Sequence, residues 1–156
     1  MRGVTESTRF ALRMTFLALL CVACAATATA QQSSAPGAAE KKAVRTVVER
    51  YLHGLKFNRV DSLRAAFWPD AKLYFVNRDG SLGQLSQKDW YKMFDGSEGK
   101  EEPGTLRIAA VDVTDNAASV KVVETYPKSV YVDYLNLLKL SGEWRIMNKI
   151  YTTKPR

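Results

Sequence analysis

The 156-residue chain has two cysteines and one histidine. Both cysteines, Cys21 and Cys24, fall in the first 30 residues, and His53 is the single histidine. A zinc site wants three or four His, Cys or carboxylate ligands, so no metal is expected. No GxxxxGK[ST] cradle and no GxSxG elbow occur, and Gly80-Ser81-Leu82-Gly83 is turn-like without the GxGxxG spacing. No cofactor is expected, and no N-x-Ser/Thr sequon is present. With 46% hydrophobic and 25% charged residues, 9 Gly and 5 Pro, the chain is not collagen-like, disordered or a disulfide scaffold. Its length suits one domain.

Residues 1–30 read as a cleavable signal peptide. Arg2, Arg9 and Arg13 precede an apolar run from Met14 to Ala26, and Ala28-Thr29-Ala30 supplies the small residues before a cut. The run is shorter than the ~20 residues a spanning helix needs. The reading is export, to the periplasm or the medium, with no membrane contact in the mature form. An uncleaved anchor is one alternative. Lipoprotein processing at Cys24 is another, although Cys21 stands where a lipobox usually has Leu. Cleavage after Ala30 removes three of 23 basic and one of 16 acidic residues, so +7 becomes +5. The remaining basic residues are scattered, whereas nucleic acid wants a clustered stripe; no nucleic-acid partner is expected. Gln31–Ala39, rich in Gln, Ser, Ala, Pro and Gly, reads as a flexible leader to a domain over residues 40–156.

Within the domain, Val44, Val47, Val48, Tyr51, Leu52 and Leu55 share one helical face, predicting a helix over 40–56 whose last turn Gly54 weakens. His53 lies roughly opposite that face and is expected in solvent. Asp61 can cap a second helix through Phe67, which Pro69 ends. Lys72–Val76 predicts a strand stopped by Asn77–Gly80. Ser86 and Asp89 form a variant capping box for a third helix with Trp90, Met93 and Phe94 inside and Gly96 at its end. Residues 106–114, 117–126, 130–140 and 143–151 then predict an antiparallel four-stranded meander. The fold class is α+β: a cone-like, strongly curved antiparallel sheet with about three helices on its concave face.

Tyr51–Leu55 followed by Asp61–Ala71 resembles the opening of the nuclear-transport-factor-2-like superfamily. Asp133–Leu140 followed by Gly142–Ile150 resembles its branch described as putative lumazine-binding. The resemblance covers about residues 42–151. It implies the cone fold, often dimeric through the outer sheet face. Some relatives are enzymes such as ketosteroid isomerases, scytalone dehydratases and polyketide cyclases, and others bind small molecules or partner proteins. No catalytic residue is carried over from it.

Among the residues themselves, Glu124 shares the apolar row Ala118, Val120, Val122, and Asp133 shares a row with Tyr131, Leu135 and Leu137. Asn148 falls between Ile146 and Ile150, in line with Trp144. A carboxylate on an apolar wall must find a partner or raise its pKa. The expected ligand-binding residues are Tyr51, Phe67, Tyr74, Trp90, Glu124, Asp133 and Asn148, with Tyr151 beside them. Glu124 and Asp133 are candidate catalytic bases. Asp133 can instead pair with Arg145 or Lys149 across neighbouring strands; both carboxylates on the outer sheet face, or salt-bridged to Arg145 or Lys149, would dispose of the enzyme reading. Gly96–Gly104 reads as a surface loop able to act as a lid. The expected function is an exported module binding a small apolar or aromatic molecule, with no assignable catalysis. A cofactor-free dehydratase or isomerase, or a dimeric interaction module, is the alternative.

Overall fold

The computed structural model describes residues 36–156; the expected signal peptide and most of the leader lie outside them. The elements are α1 (Pro36–Lys56), α2 (Val60–Ala66), β1 (Phe67–Val76), β2 (Leu82–Ser86), α3 (Gln87–Lys92), β3 (Thr105–Thr114), β4 (Ala117–Thr125), β5 (Ser129–Leu140) and β6 (Glu143–Pro155). One open, curved six-stranded sheet has the order β2-β1-β6-β5-β4-β3. Its core holds Val44, Val48 and Tyr51 from α1, Leu63, Phe67 and Leu73, and Val120, Val122, Leu135, Leu137 and Ile146 from the meander.

The expected meander is present, with β6 running to Pro155. Ser141 and Gly142, both at positive φ, turn β5 into β6. Three features differ from expectation. α1 begins at Pro36, so residues 36–39 of the expected leader are helical. β1 begins at Phe67 and pairs parallel with β6, the one parallel pairing in an otherwise antiparallel sheet. Pro69 is tolerated there because the β1–β6 ladder is interrupted between Phe67 and Lys72. β2, unpredicted, pairs with β1 across the Asn77–Ser81 turn.

The helix ends follow local chemistry. Ser86 Oγ caps α3 by accepting from Asp89 N at 3.2 Å, but Asp89 Oδ2 accepts from the Ser86 hydroxyl at 2.7 Å and not from its backbone N–H, so half of the expected capping box forms. Asp61 is not the cap of α2; that position is Arg59, whose guanidinium grips the Asp61 carboxylate at 2.7 and 3.0 Å. α3 ends at Lys92, before Gly96, and Met93 is exposed while Tyr91 is buried in its place. The start of α1 is fastened to the β5–β6 hairpin through Glu40, which accepts from Lys139 Nζ at 2.7 Å and Trp144 Nε1 at 2.8 Å.

Gly54 does not weaken α1; it lets α2 approach. A Cβ there would lie 2.5 Å from Leu63 Cδ2 and 3.1 Å from the Arg59 carbonyl oxygen. Gly37, also helical, has open space around it. Gly54→Ala is therefore expected to lower stability by about 1–3 kcal/mol through overpacking. Gly37→Ala is expected to raise it by up to about 1 kcal/mol. Urea unfolding of the two variants checks the opposite signs.

Candidate functional site

Beneath the concave face, Tyr51, Glu124, Asp133 and Lys149 form a buried polar cluster. Glu124 and Asp133 stand on the inward rows of β4 and β5, as their spacing predicts. Lys149 reaches the same face through a bulge. Leu137 pairs with Ile146 and Asn136 with Asn148, so Met147 is an extra residue on β6. The insertion reverses the alternation: Trp144 and Ile146 point inward before it, and Lys149 after it. Asn148 and Ile150 turn to the outer face, where Asn136 Nδ2 donates to Asn148 Oδ1 at 2.9 Å.

Lys149 Nζ lies 2.8 Å from Asp133 Oδ2, donates to Tyr51 OH at 2.8 Å, and stands 3.9 Å from Glu124 Oε1. Its charge also lies 4.8, 5.4 and 5.6 Å from the ring centres of Tyr151, Tyr51 and Trp90. The Tyr51 hydroxyl is 2.5 Å from Asp133 Oδ2 and 3.0 Å from Glu124 Oε1. One hydroxyl proton cannot serve two carboxylates at once, and the two carboxyl groups are shifted in opposite senses. Burial, opposed by Lys149 and reinforced by Asp133, pushes the Glu124 pKa up to about 8. For Asp133, burial acts upward, but the Lys149 charge and the hydrogen bonds the carboxylate receives together outweigh it and hold the pKa below the ordinary value. Burial works against the Lys149 charge, and the surrounding acidic groups, Asp133 foremost and then Glu124, together override it, so the ammonium is held. These shifts favour a neutral Glu124 beside an anionic Asp133 and a cationic Lys149. Asp133 Oδ1 is buried and has no hydrogen-bond partner among the described residues.

Above the cluster opens a cavity of about 540 Å³. Lys149, Glu124, Tyr126, Tyr131 and Tyr151 supply its polar wall; Leu55, Leu73, Leu85, Trp90, Phe94 and Pro103 supply much of the apolar one. Tyr126 OH donates to Glu124 Oε2 at 3.2 Å. Of the expected ligand-binding residues, Trp90 and Glu124 line this cavity. Tyr51, Phe67 and Asp133 are fully buried beneath it and do not line it. Tyr74 and Asn148 do not line it either. Tyr74 alternates away from inward Leu73, and Asn148 was displaced by the bulge. Lys149, anticipated only as a partner for Asp133, is the central residue missed. Arg145, the other anticipated partner, pairs with Glu143 at 2.8 Å.

His53 is exposed, 3.1 Å from Ser62 Oγ, and lies off the cavity. Gly96–Gly104 is not a free lid: Lys56 Nζ donates to the Glu102 and Gly104 carbonyls at 2.6 and 2.9 Å, and Asn58 Nδ2 to the Lys100 carbonyl at 2.9 Å. Among the described residues no group of three or more His, Cys, Asp or Glu could hold a metal ion.

An open sheet wrapped on a long first helix, with a cavity at one end, defines the nuclear-transport-factor-2-like fold. An NTF2-like protein of unknown function from Shewanella baltica superposes with a TM-score of 0.69 at 27% identity, covering 76% of this chain and 96% of that one. Another from Silicibacter pomeroyi gives 0.67 at 22% identity, covering 77% and 100%. The family described as putative lumazine-binding matches residues 39–152, and the chain belongs to it. It is also similar to aldolase FrzH of a Cladobotryum species, 26% identical over 119 residues, 75% of this chain and 94% of that protein.

The raised Glu124 pKa fixes a pH dependence. The folded state holds a proton that the unfolded chain releases above about 4.5. Stability from this group is complete below that value and is lost as pH rises to about 8. Thermal melts of the wild type should show this decline, and Glu124→Gln, which keeps the neutral shape, should flatten it between pH 5 and 8. Parallel profiles would refute the assignment.

Proposed function

We propose that the cavity binds a small, largely apolar molecule through an oxygen acceptor placed at Lys149. One observation carries this reading. Lys149 spends two of its three N–H donors on Asp133 and Tyr51, and the third has no hydrogen-bond partner among the described residues. That donor belongs to a side chain lining the cavity, so it is left for whatever occupies it. Apolar walls with a few convergent polar groups are the usual make-up of such sites. A carbonyl compound fits the chemistry, and the similarity to an enzyme named aldolase leans the same way, since aldol chemistry occurs at carbonyl groups.

A bicyclic aromatic ketone, 1-tetralone, and its hydrocarbon counterpart tetralin test the reading by calorimetry. A hydrogen bond to a charged donor is worth about 1.5–3 kcal/mol, so the ketone should bind at least about tenfold tighter. The double variant Asp133→Asn/Lys149→Met, which removes both charges together, should erase the difference. Equal affinities in the wild type, or no ketone binding, would end the proposal.

We also propose that the protein is exported from the cytoplasm, on the strength of the Arg-flanked apolar run from Met14 to Ala26 and the small residues Ala28-Thr29-Ala30 after it. The same proposal pairs two copies through the outer face of β5 and β6, where Tyr134, Leu138 and Ile150 are exposed. Native mass spectrometry of the exported protein should give a chain starting at Gln31, in pairs. A monomer, or a chain retaining residues 1–30, would contradict one half or the other.

A further inference from the structure

We propose that Glu102 is a second polar anchor of the cavity, and that the ligand is a carbonyl compound with a hydroxyl at its far end, its carbonyl oxygen on Lys149 and its hydroxyl donating to Glu102. This rests on the binding mode above and goes beyond it, from one end of the ligand to both.

Glu102 lies in the connection between α3 and β3, yet it is held at three points. Its backbone N–H donates to the Lys56 carbonyl oxygen at 2.8 Å, and its own carbonyl oxygen accepts from Lys56 Nζ at 2.6 Å. Its side-chain Oε1 accepts from Asn58 Nδ2 at 2.9 Å. Asn58 is fixed in turn. It is 4% exposed and has a φ of 50°, a left-handed conformation that asparagine adopts more readily than most residues. Its Nδ2 also donates to the Lys100 carbonyl oxygen at 2.9 Å, so both amide hydrogens are used. The Lys56 charge is paired with Glu101, at 3.1 Å. Glu102 is half-buried and lines the cavity, and its Oε2 has no hydrogen-bond or ion-pair partner among the described residues. The wall thus presents a positioned acceptor with one oxygen to spare.

The two anchors stand apart. Lys149 is on the floor, beside Tyr51 and Glu124. Along β4, Tyr126 follows Glu124 and leads to the Pro127–Ser129 turn, which also lines the cavity. Thr105 pairs with Thr125, which brings Glu102 to this end. α1 gives the scale: from Tyr51, which Lys149 touches, to Lys56, which Glu102 touches, the helix rises about 7.5 Å. Between the anchors the wall is apolar, with Leu55, Trp90 and Pro103. A charged donor, an apolar middle and a positioned acceptor match a two-ring compound with its oxygens at opposite ends. The Tyr126 hydroxyl does not compete for the acceptor, because it donates to Glu124. Glu102 exchanges no proton in this arrangement; it accepts a hydrogen bond. A site built around such an acceptor rejects a ligand that covers the carboxylate without offering a donor.

Calorimetry with three related ketones tests this. 6-Hydroxy-1-tetralone carries a hydroxyl across the rings from its carbonyl, 6-methoxy-1-tetralone has the same oxygen without the proton, and 1-tetralone has neither. At about pH 6, where the phenol keeps its proton, the wild type should bind the hydroxyl compound at least about tenfold tighter than 1-tetralone. The methyl ether should bind no tighter than 1-tetralone. Glu102→Gln, whose amide oxygen can still serve Asn58 while its NH2 group faces the ligand, should reduce the preference for the hydroxyl compound over 1-tetralone to less than about twofold. Equal affinities for those two ketones in the wild type would overturn this inference. So would a methyl ether as tight as the hydroxyl compound, or an undiminished preference in Glu102→Gln. Each of these results leaves the binding reading standing, whereas failure of all three ketones to bind would remove both.

Discussion

The ion pair between Lys149 and Asp133 is the constraint on which the rest of this molecule turns. Both partners are buried, and the Tyr51 hydroxyl bridges them to α1. Charges this deep are costly to desolvate, and such a pair is weak evidence for stability by itself. What it specifies is arrangement. Lys149 faces inward because Met147 is inserted into β6, and an inward lysine is tolerable because Asp133 waits opposite. Removal of the bulge would send Lys149 to solvent and bury Asn148. The bulge and the ion pair thus select one register of the last strand, and that register places a charged donor at the end of the cavity.

Much of the fold was legible because its periodicities are strong. The α1 face from Val44 to Leu55 and the alternating rows of β4 and β5 needed no tertiary information. The same alternation located Glu124 and Asp133 correctly on the inner face. It failed on β6, where strict period two put Asn148 inside and passed over Lys149. A bulge leaves no local composition signal as clear as a turn. The one hint was the cost of an unpaired Asp133, which made Lys149 or Arg145 a wanted partner. β2 and the parallel β1–β6 pairing were illegible for a related reason. Strand partners distant in sequence are chosen by packing, and Leu82–Ser86 is too short and too polar to declare itself.

Protonation decides what chemistry this cavity can support. An amine that is to attack a carbonyl must lose its proton and expose a lone pair. Lys149 is held in the opposite state by Asp133, within hydrogen-bond distance, and its pKa is displaced upward. Its nitrogen is therefore a donor and a fixed positive charge, and covalent imine chemistry is the wrong expectation for it. Glu124 is displaced in the other sense, kept neutral by burial close to the point where it ionises. Two groups 3.9 Å apart are held in complementary states, Lys149 by the anion beneath it and Glu124 chiefly by burial. A low-dielectric floor thus holds one group charged and keeps its neighbour neutral close to the point where it ionises. The apolar walls contribute by excluding the water that would screen both.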